Sequence, residues 1–232
     1  MEIRRLTLLE GAKEARGIAV IVDVFRAFSC EPVLHALGAE RVLLEADVEK
    51  CLAQRGRAVL LGELDGSPIE GFDLPNSPYF ILRKGAGFFR GRPAVHRSTA
   101  GVCGALAAME HADEVMLASF MTARATAAYV ESRRPRCVSI VAMGDHRREE
   151  VPEDLRCADY IDSLLSGRPY DHLAATDEIL GHESAQKFLR GDEPQYPRED
   201  PALCLQRDLF DFGLRAERRD GTIEAVKVRA AA

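Results

Sequence analysis

The chain of 232 residues is 47% hydrophobic and 29% charged, an ordinary globular composition that excludes disordered, collagenous and coiled-coil classes. Its 31 Lys and Arg against 37 Asp and Glu give a net charge of −6. That balance argues against a nucleic-acid binder or an anionic-membrane binder, while leaving room for a local basic pocket. No apolar run approaches the roughly 20 residues needed to span a bilayer, and Met1–Leu6 opens no secretory signal. Six cysteines (Cys30, Cys51, Cys103, Cys137, Cys157, Cys204) form no C-x-x-C pair. They read as small core residues of a reduced, cytoplasmic protein.

Ile18–Val22 is a continuous apolar run rich in branched side chains, the pattern of a strand buried on both faces. It stops at Asp23. Pro32 then falls early in a helical segment carrying Val33, Leu34 and Leu37, closed by Gly38. Val42–Leu44 reads as a strand, and Asp47 as the N-cap of a helix through Gln54. Ala58–Leu61 is a third strand, ending at Gly62 and Glu63.

A similar course follows. Ala94–His96 leads into a helix of small residues through Met109, then Glu114–Ala118 reads as strand. A helix from about Thr122 to Ser132 precedes the strand Cys137–Ala142, which ends at Gly144 and Asp145. Residues 38–45 resemble 111–118, so a duplicated strand–helix unit is expected. Residues 191–201, rich in Pro, Asp, Glu and Arg, read as an exposed connection before a terminal helix and the β-like run Thr222–Val228. Nothing marks a linker, so one domain over residues 1–232 is expected. Alternating strands and helices predict a three-layer α/β/α fold with a mixed or mostly parallel sheet, whose ligands bind beyond the C-terminal strand ends. Asp23, Glu63, His96 and Asp145 fall at such ends.

Three segments could carry chemistry, each beside a plainer reading. Asp23 and Arg26 could hold a cation and grip an anion, or merely pair with each other. The Arg97–Gly101 turn offers hydroxyls and amides to an anion at a helix N-terminus, though a Ser or Thr there also serves as a cap. The loop Glu63–Pro78 crowds carboxylates after a strand, fit for Mg²⁺ or for a solvated turn. Asp145, His146 and Asp154 could add ligands or a base, or simply answer a helix dipole.

Together these segments resemble the 2-phosphosulfolactate phosphatase family. Asp23-Val-Phe-Arg-Ala-Phe-Ser29 resembles its D-V-x-R-A-[ST]-[ST] segment. Gly62-Glu63 followed by Glu70–Pro78 resembles G-E-R-x-G … G-F-D-x-G-N-S-P, the most specific match, and Ser98–Val102 stands at a T-T-N-G-T-like turn. The resemblance implies an α/β/α fold and Mg²⁺-dependent hydrolysis of 2-phospho-3-sulfolactate, a step of coenzyme M biosynthesis in some organisms. It makes Asp23 and Glu63 catalytic, with Asp23, Glu63 and Asp73 holding Mg²⁺. Arg26, Asn76, Ser77, Ser98, Thr99 and Gly101 would bind a small anionic phosphate ester.

The chain departs from the pattern at Ala100, Val102, Leu64 and Thr122, and at the turn Gly144-Asp-His-Arg147, with His96 and His146 as polar groups nearby. A non-catalytic anion binder that keeps the fold is the alternative. A monomer and a homodimer both stay open, because apolar content cannot be divided between core and interface.

Overall fold

Asp23 is carried by the most buried strand of the protein. The computed structural model describes residues 1–145 and 148–230. Its strands are β1 (Glu2–Thr7), β2 (Ile18–Val22), β3 (Val42–Leu44), β4 (Val59–Leu64), β5 (Ser67–Pro68), β6 (Ala94–Arg97), β7 (Glu114–Ala118), β8 (Cys137–Ala142), β9 (Gly213–Arg219) and β10 (Thr222–Val228). They form one ten-stranded sheet in the order β1-β8-β2-β7-β9-β10-β3-β6-β4-β5.

All five side chains of β2 are buried, and the reason is its place. It pairs in parallel with β7 on one side and β8 on the other. Side chains alternate across a strand. Ala19 and Ile21 therefore enter one core with Val115, Leu117 and Val141. Ile18, Val20 and Val22 enter another, with Met116, Val138 and Ile140. Helices cover both faces, which gives the three-layer α/β/α arrangement and explains the absence of polar alternation in the sequence. β6 has the same relation to β3 and β4, again in parallel.

Antiparallel β9 and β10 join the two sets, β9 pairing with β7 and β10 with β3. Read outward from this hairpin, the order is β7-β2-β8-β1 one way and β3-β6-β4-β5 the other. Val42–Leu44 and Val115–Leu117 take corresponding places. The correspondence is one of strand order, and a duplication is not shown by it.

Most expected elements are present. Asp47 caps the helix Val48–Leu52 by accepting from the backbone N–H groups of Glu49 and Lys50. β1 and β9 were not expected, nor were the helices His172–Gly181 and Glu183–Arg190. The connection 191–201 is a correction. Its charged composition suggested solvent, yet it turns inward at the helix Glu199–Cys204, and Asp200 is fully buried. All six cysteines are free thiols. Among the described residues, no helix is long and apolar enough to cross a membrane.

Candidate active site

The C-terminal ends of β2, β4, β6 and β8 converge on one cleft. Asp23, Glu63, Thr99 and Asp145 line it, together with Arg26, Asn76 and Ala100. A second wall comes from Lys187, Phe188 and Tyr196, from the helix Glu183–Arg190 and the connection after it.

Asp23 is fixed by two helix starts. Its Oδ1 accepts from the N–H of Ala27, in the first turn of the helix Ala27–Ala36, at 3.0 Å. Its Oδ2 accepts from the N–H of Gly101, which opens the helix Gly101–Ala108, at 2.8 Å. Both helix dipoles favour the charged carboxylate. Burial opposes them and prevails, pushing Asp23 up to about 7, with further upward pressure from the Glu63 charge. Glycine at 101 is required by the closeness of this contact, since a Cβ there would lie 2.6 Å from Asp23 Oδ2.

Glu63 is held on both oxygens. Oε1 accepts from the Thr99 N–H, while Oε2 accepts from the Thr99 hydroxyl at 3.0 Å and the Gly66 N–H at 2.7 Å. Arg97 supports the same turn by donating to the Glu63 carbonyl and, at 2.7 Å, to Thr99 Oγ1. The turn 98–101 therefore differs from the anion cradle expected of it. The Thr99 and Gly101 amides serve the chain's own carboxylates. Ser98 is buried and accepts from the Val102 N–H at 2.9 Å, so its hydroxyl caps the helix.

Arg26 forms the ion pair that its sequence left open, though its carboxylate partner is Asp200 and not Asp23. Nη1 donates to Asp200 Oδ2 at 2.9 Å and to the Gln195 carbonyl at 2.7 Å. The guanidinium lies over the rings of Phe188 and Tyr196, 5.2 and 5.3 Å from their centroids, and still lines the cleft. Ser77 is a correction. It caps the helix Pro78–Lys84, donates to Asp200 Oδ1 at 2.9 Å, and does not line the cleft. Asn76 does line it. Its Oδ1 accepts from His96 Nε2 at 2.9 Å and from the Cys30 thiol at 3.1 Å.

Asp73 is the clearest correction. It is exposed, and its Oδ2 accepts from the N–H of Leu60 at 2.8 Å. The loop doubles back so that Leu74 runs beside Leu61. That places Asp73 next to Leu60, three residues before Glu63, or about 10 Å along the strand. It is withdrawn from the cation-holding set. Among the described residues, no group of three or more His, Cys, Asp and Glu side chains could hold a metal. What the cleft offers is a pair of buried or half-buried oxygen donors, Asp23 and Glu63, fixed by backbone amides. Mg²⁺ is commonly held by one or two carboxylates plus waters and phosphate oxygens, so the donor set fits it.

Asp154, left open by sequence, braces this region from below. Its two oxygens accept from the N–H groups of Val24, at 2.7 Å, and Gly144, at 2.9 Å, tying the ends of β2 and β8 together. Burial holds its carboxyl well above the usual range, with the Asp23 charge adding to the effect. His146 lies outside the described residues. Sequence reasoning missed Lys187, Phe188, Tyr196 and Asp200, whose only signal was a Tyr and a Lys within an otherwise polar stretch.

Glu153 gives a pH prediction. Burial pushes it from 4.5 up to about 7, against the opposing 2.7 Å hydrogen bond from the Ser184 hydroxyl. The folded protein holds this proton more tightly than the unfolded chain. The stability linked to it is therefore full below about pH 4.5 and lost as pH rises through about 7. Glu153→Gln keeps the acceptor for Ser184 and removes the charge. Its melting temperature is expected to match wild type near pH 5 and to exceed it by several degrees at pH 8, on the order of 3 kcal/mol. An equal offset at both pH values would contradict this.

The sequence pattern of the 2-phosphosulpholactate phosphatase family matches residues 5–212, nearly the whole chain. The chain belongs to the 2-phosphosulfolactate phosphatase family. Three relatives are alike over almost their full length. A "Probable 2-phosphosulfolactate phosphatase" of Bacillus subtilis is 28% identical over 214 residues, covering 90% of this chain and 91% of the relative. Proteins with the same name from Cyanothece and Clostridium perfringens are each 30% identical over 229 residues, covering 89% and 90% of this chain and 91% and 89% of theirs. The activity for which these relatives are named is that of a phosphoric monoester hydrolase.

Proposed function

We propose that this protein hydrolyses 2-phospho-3-sulfolactate, or a closely similar small acidic phosphate monoester, with Mg²⁺ in the cleft. The observation that carries the reading is that Asp23 and Glu63, at strand ends, line one cleft together with Arg26 and Lys187. Hydrolysis of a phosphate monoester is among the slowest uncatalysed reactions, and catalysis rests on positioning and on neutralising charge. The lining holds three carboxylates, Asp23, Glu63 and Asp145, against the cations Arg26 and Lys187. A substrate bearing a phosphate and two further acidic groups adds more negative charge to that set. This imbalance supports a divalent cation as part of the working site. When bound, Mg²⁺ would neutralise phosphate charge as a Lewis acid.

The chain's own residues divide the remaining work. Glu63, with three hydrogen bonds to its carboxylate, is the rigid holder. Asp23, fixed at the rim of the cleft by the Ala27 and Gly101 amides, is the candidate to take a proton from the attacking water. As the new P–O bond forms, the ester P–O bond breaks, and the departing oxygen of the hydroxy acid takes a proton. Arg26 and the Asn76 amide face the anion, and Ala100 supplies an apolar wall where the resembling turn has Asn.

Lys187 is assigned to the substrate's second acidic group. Its Nζ is 3.3 Å from Asp145 Oδ2 and 5.1 Å from the centre of the Tyr196 ring. Lys187→Ala is expected to raise KM roughly tenfold for a substrate with that second group while leaving kcat close to wild type. The same variant should act normally on a phosphate monoester that lacks the second group. Equal losses on both substrates would contradict the assignment.

The reading is tested by a panel of phosphate monoesters assayed with and without added Mg²⁺. Release of phosphate from 2-phospho-3-sulfolactate, dependent on Mg²⁺, is the expected result. Turnover of another acidic ester in preference would revise the substrate, and binding without any turnover would favour the non-catalytic alternative.

A further inference from the structure

Behind the cleft wall lies a buried polar chain that the proposed chemistry does not use. His96, the third residue of β6, is fully buried, as is Glu31 on the helix Ala27–Ala36. His96 Nδ1 is 3.1 Å from Glu31 Oε1, and His96 Nε2 is 2.9 Å from Asn76 Oδ1. In the tautomer that donates from Nε2 to the Asn76 amide oxygen, the ring presents Nδ1 to Glu31. The Cys30 thiol donates to the same amide oxygen at 3.1 Å. In that tautomer two donors meet Oδ1, and turning the Asn76 amide over would set N–H against N–H. The donor left for the cleft is Nδ2.

Glu31 has a feature that packing does not explain. Its other oxygen, Oε2, is buried with no hydrogen-bond partner among the described residues. Burying a carboxyl group with half its hydrogen-bonding capacity unmet destabilises the fold. Among the described residues, His96 is the one side chain to which the Glu31 carboxyl is hydrogen-bonded. Its effect is therefore on the tautomer and ring orientation of His96, and through it on Asn76.

We infer that Glu31 and His96 are positioning residues of the cleft, holding the Asn76 amide with its Nδ2 donor toward the bound anion. This rests on the phosphatase reading above. It extends that reading by making anion affinity depend on two residues that touch no substrate.

The test measures inorganic phosphate binding by calorimetry, a readout independent of turnover, alongside phosphate release from 2-phospho-3-sulfolactate. Asn76→Ala, His96→Ala and the double variant form a cycle. His96→Ala is expected to weaken phosphate binding roughly tenfold, the size of about one lost hydrogen bond to a charged group. The double variant should bind no worse than Asn76→Ala alone. Glu31→Gln, whose amide can donate to His96 Nδ1, should bind phosphate as wild type does, whereas Glu31→Ala should bind as weakly as His96→Ala. This second pair decides the matter if His96→Ala does not fold. Additive losses in the cycle, or unchanged phosphate affinity in His96→Ala and Glu31→Ala, overturn the inference. Wild-type protein that binds phosphate but hydrolyses no ester contradicts the phosphatase reading and leaves the cycle able to decide the positioning. Wild-type protein that binds no phosphate overturns both.

Discussion

Asp23→Asn is expected to lower kcat/KM for the phosphate ester by about 10²–10⁴-fold, the range typical of losing a positioned acid–base group. In the proposed mechanism it removes the group that takes a proton from the attacking water. The fold also feels the change. Both oxygens of Asp23 accept backbone N–H groups, from Ala27 and from Gly101. An asparagine must turn its NH₂ toward one of those donors, which destabilises by about 1–3 kcal/mol. Kinetics are therefore measured well below the melting temperature of the variant. A folded Asp23→Asn protein with near wild-type kcat/KM would remove Asp23 from the chemistry.

Arg26→Lys is the second large effect. Lysine keeps the charge but loses the planar fork that makes parallel hydrogen bonds to a phosphate or sulfonate. The loss of such a charged bond is about 1.5–3 kcal/mol, or roughly ten- to more than a hundredfold in kcat/KM if it persists in the transition state. Arg26 also pairs with buried Asp200 and lies over the rings of Phe188 and Tyr196, so its melting temperature should fall as well. Asp200→Asn separates the two roles, because it touches the ion pair behind the guanidinium and not the cleft. It should lose stability, with a smaller kinetic change than Arg26→Lys. Lowered stability with unchanged kinetics in Arg26→Lys would rule out the anion-binding role.

The parts of this site legible in the sequence are those close to a strand end. Ile18–Val22 announces a strand buried on both faces, and the first carboxylate after it must sit at the rim of a parallel sheet. Glu63 follows from β4 by the same logic. Asn76 came from the family resemblance, since a polar residue in a loop has no periodicity to betray it.

The rest depended on contacts between distant segments. Asp73 looked like a ligand because it is near Glu63 in sequence, but Leu74 pairs beside Leu61 and turns it back toward Leu60. Asp200 reaches Arg26 and Ser77 from more than a hundred residues away, and its acidic neighbourhood looked solvated. Lys187 and Tyr196 were hidden for the same reason. β9 carries Arg215, Glu217, Arg218 and Arg219, a composition that suggests an exposed turn. It is a sheet strand because Arg215 and Glu217 pair with each other and Arg215 with Glu114, leaving Leu214 and Ala216 to the core. Short-range pattern carries no record of such pairings.

The central claim is that the cleft of Asp23 and Glu63 is where a phosphate ester is cut. The most direct measurement is phosphate release from 2-phospho-3-sulfolactate by wild type and by a Glu63→Gln variant, at equal protein and saturating Mg²⁺, with folding checked by melting. The account predicts saturable release by wild type and a loss of at least about a hundredfold in the variant. Folded Glu63→Gln protein releasing phosphate as fast as wild type would contradict it.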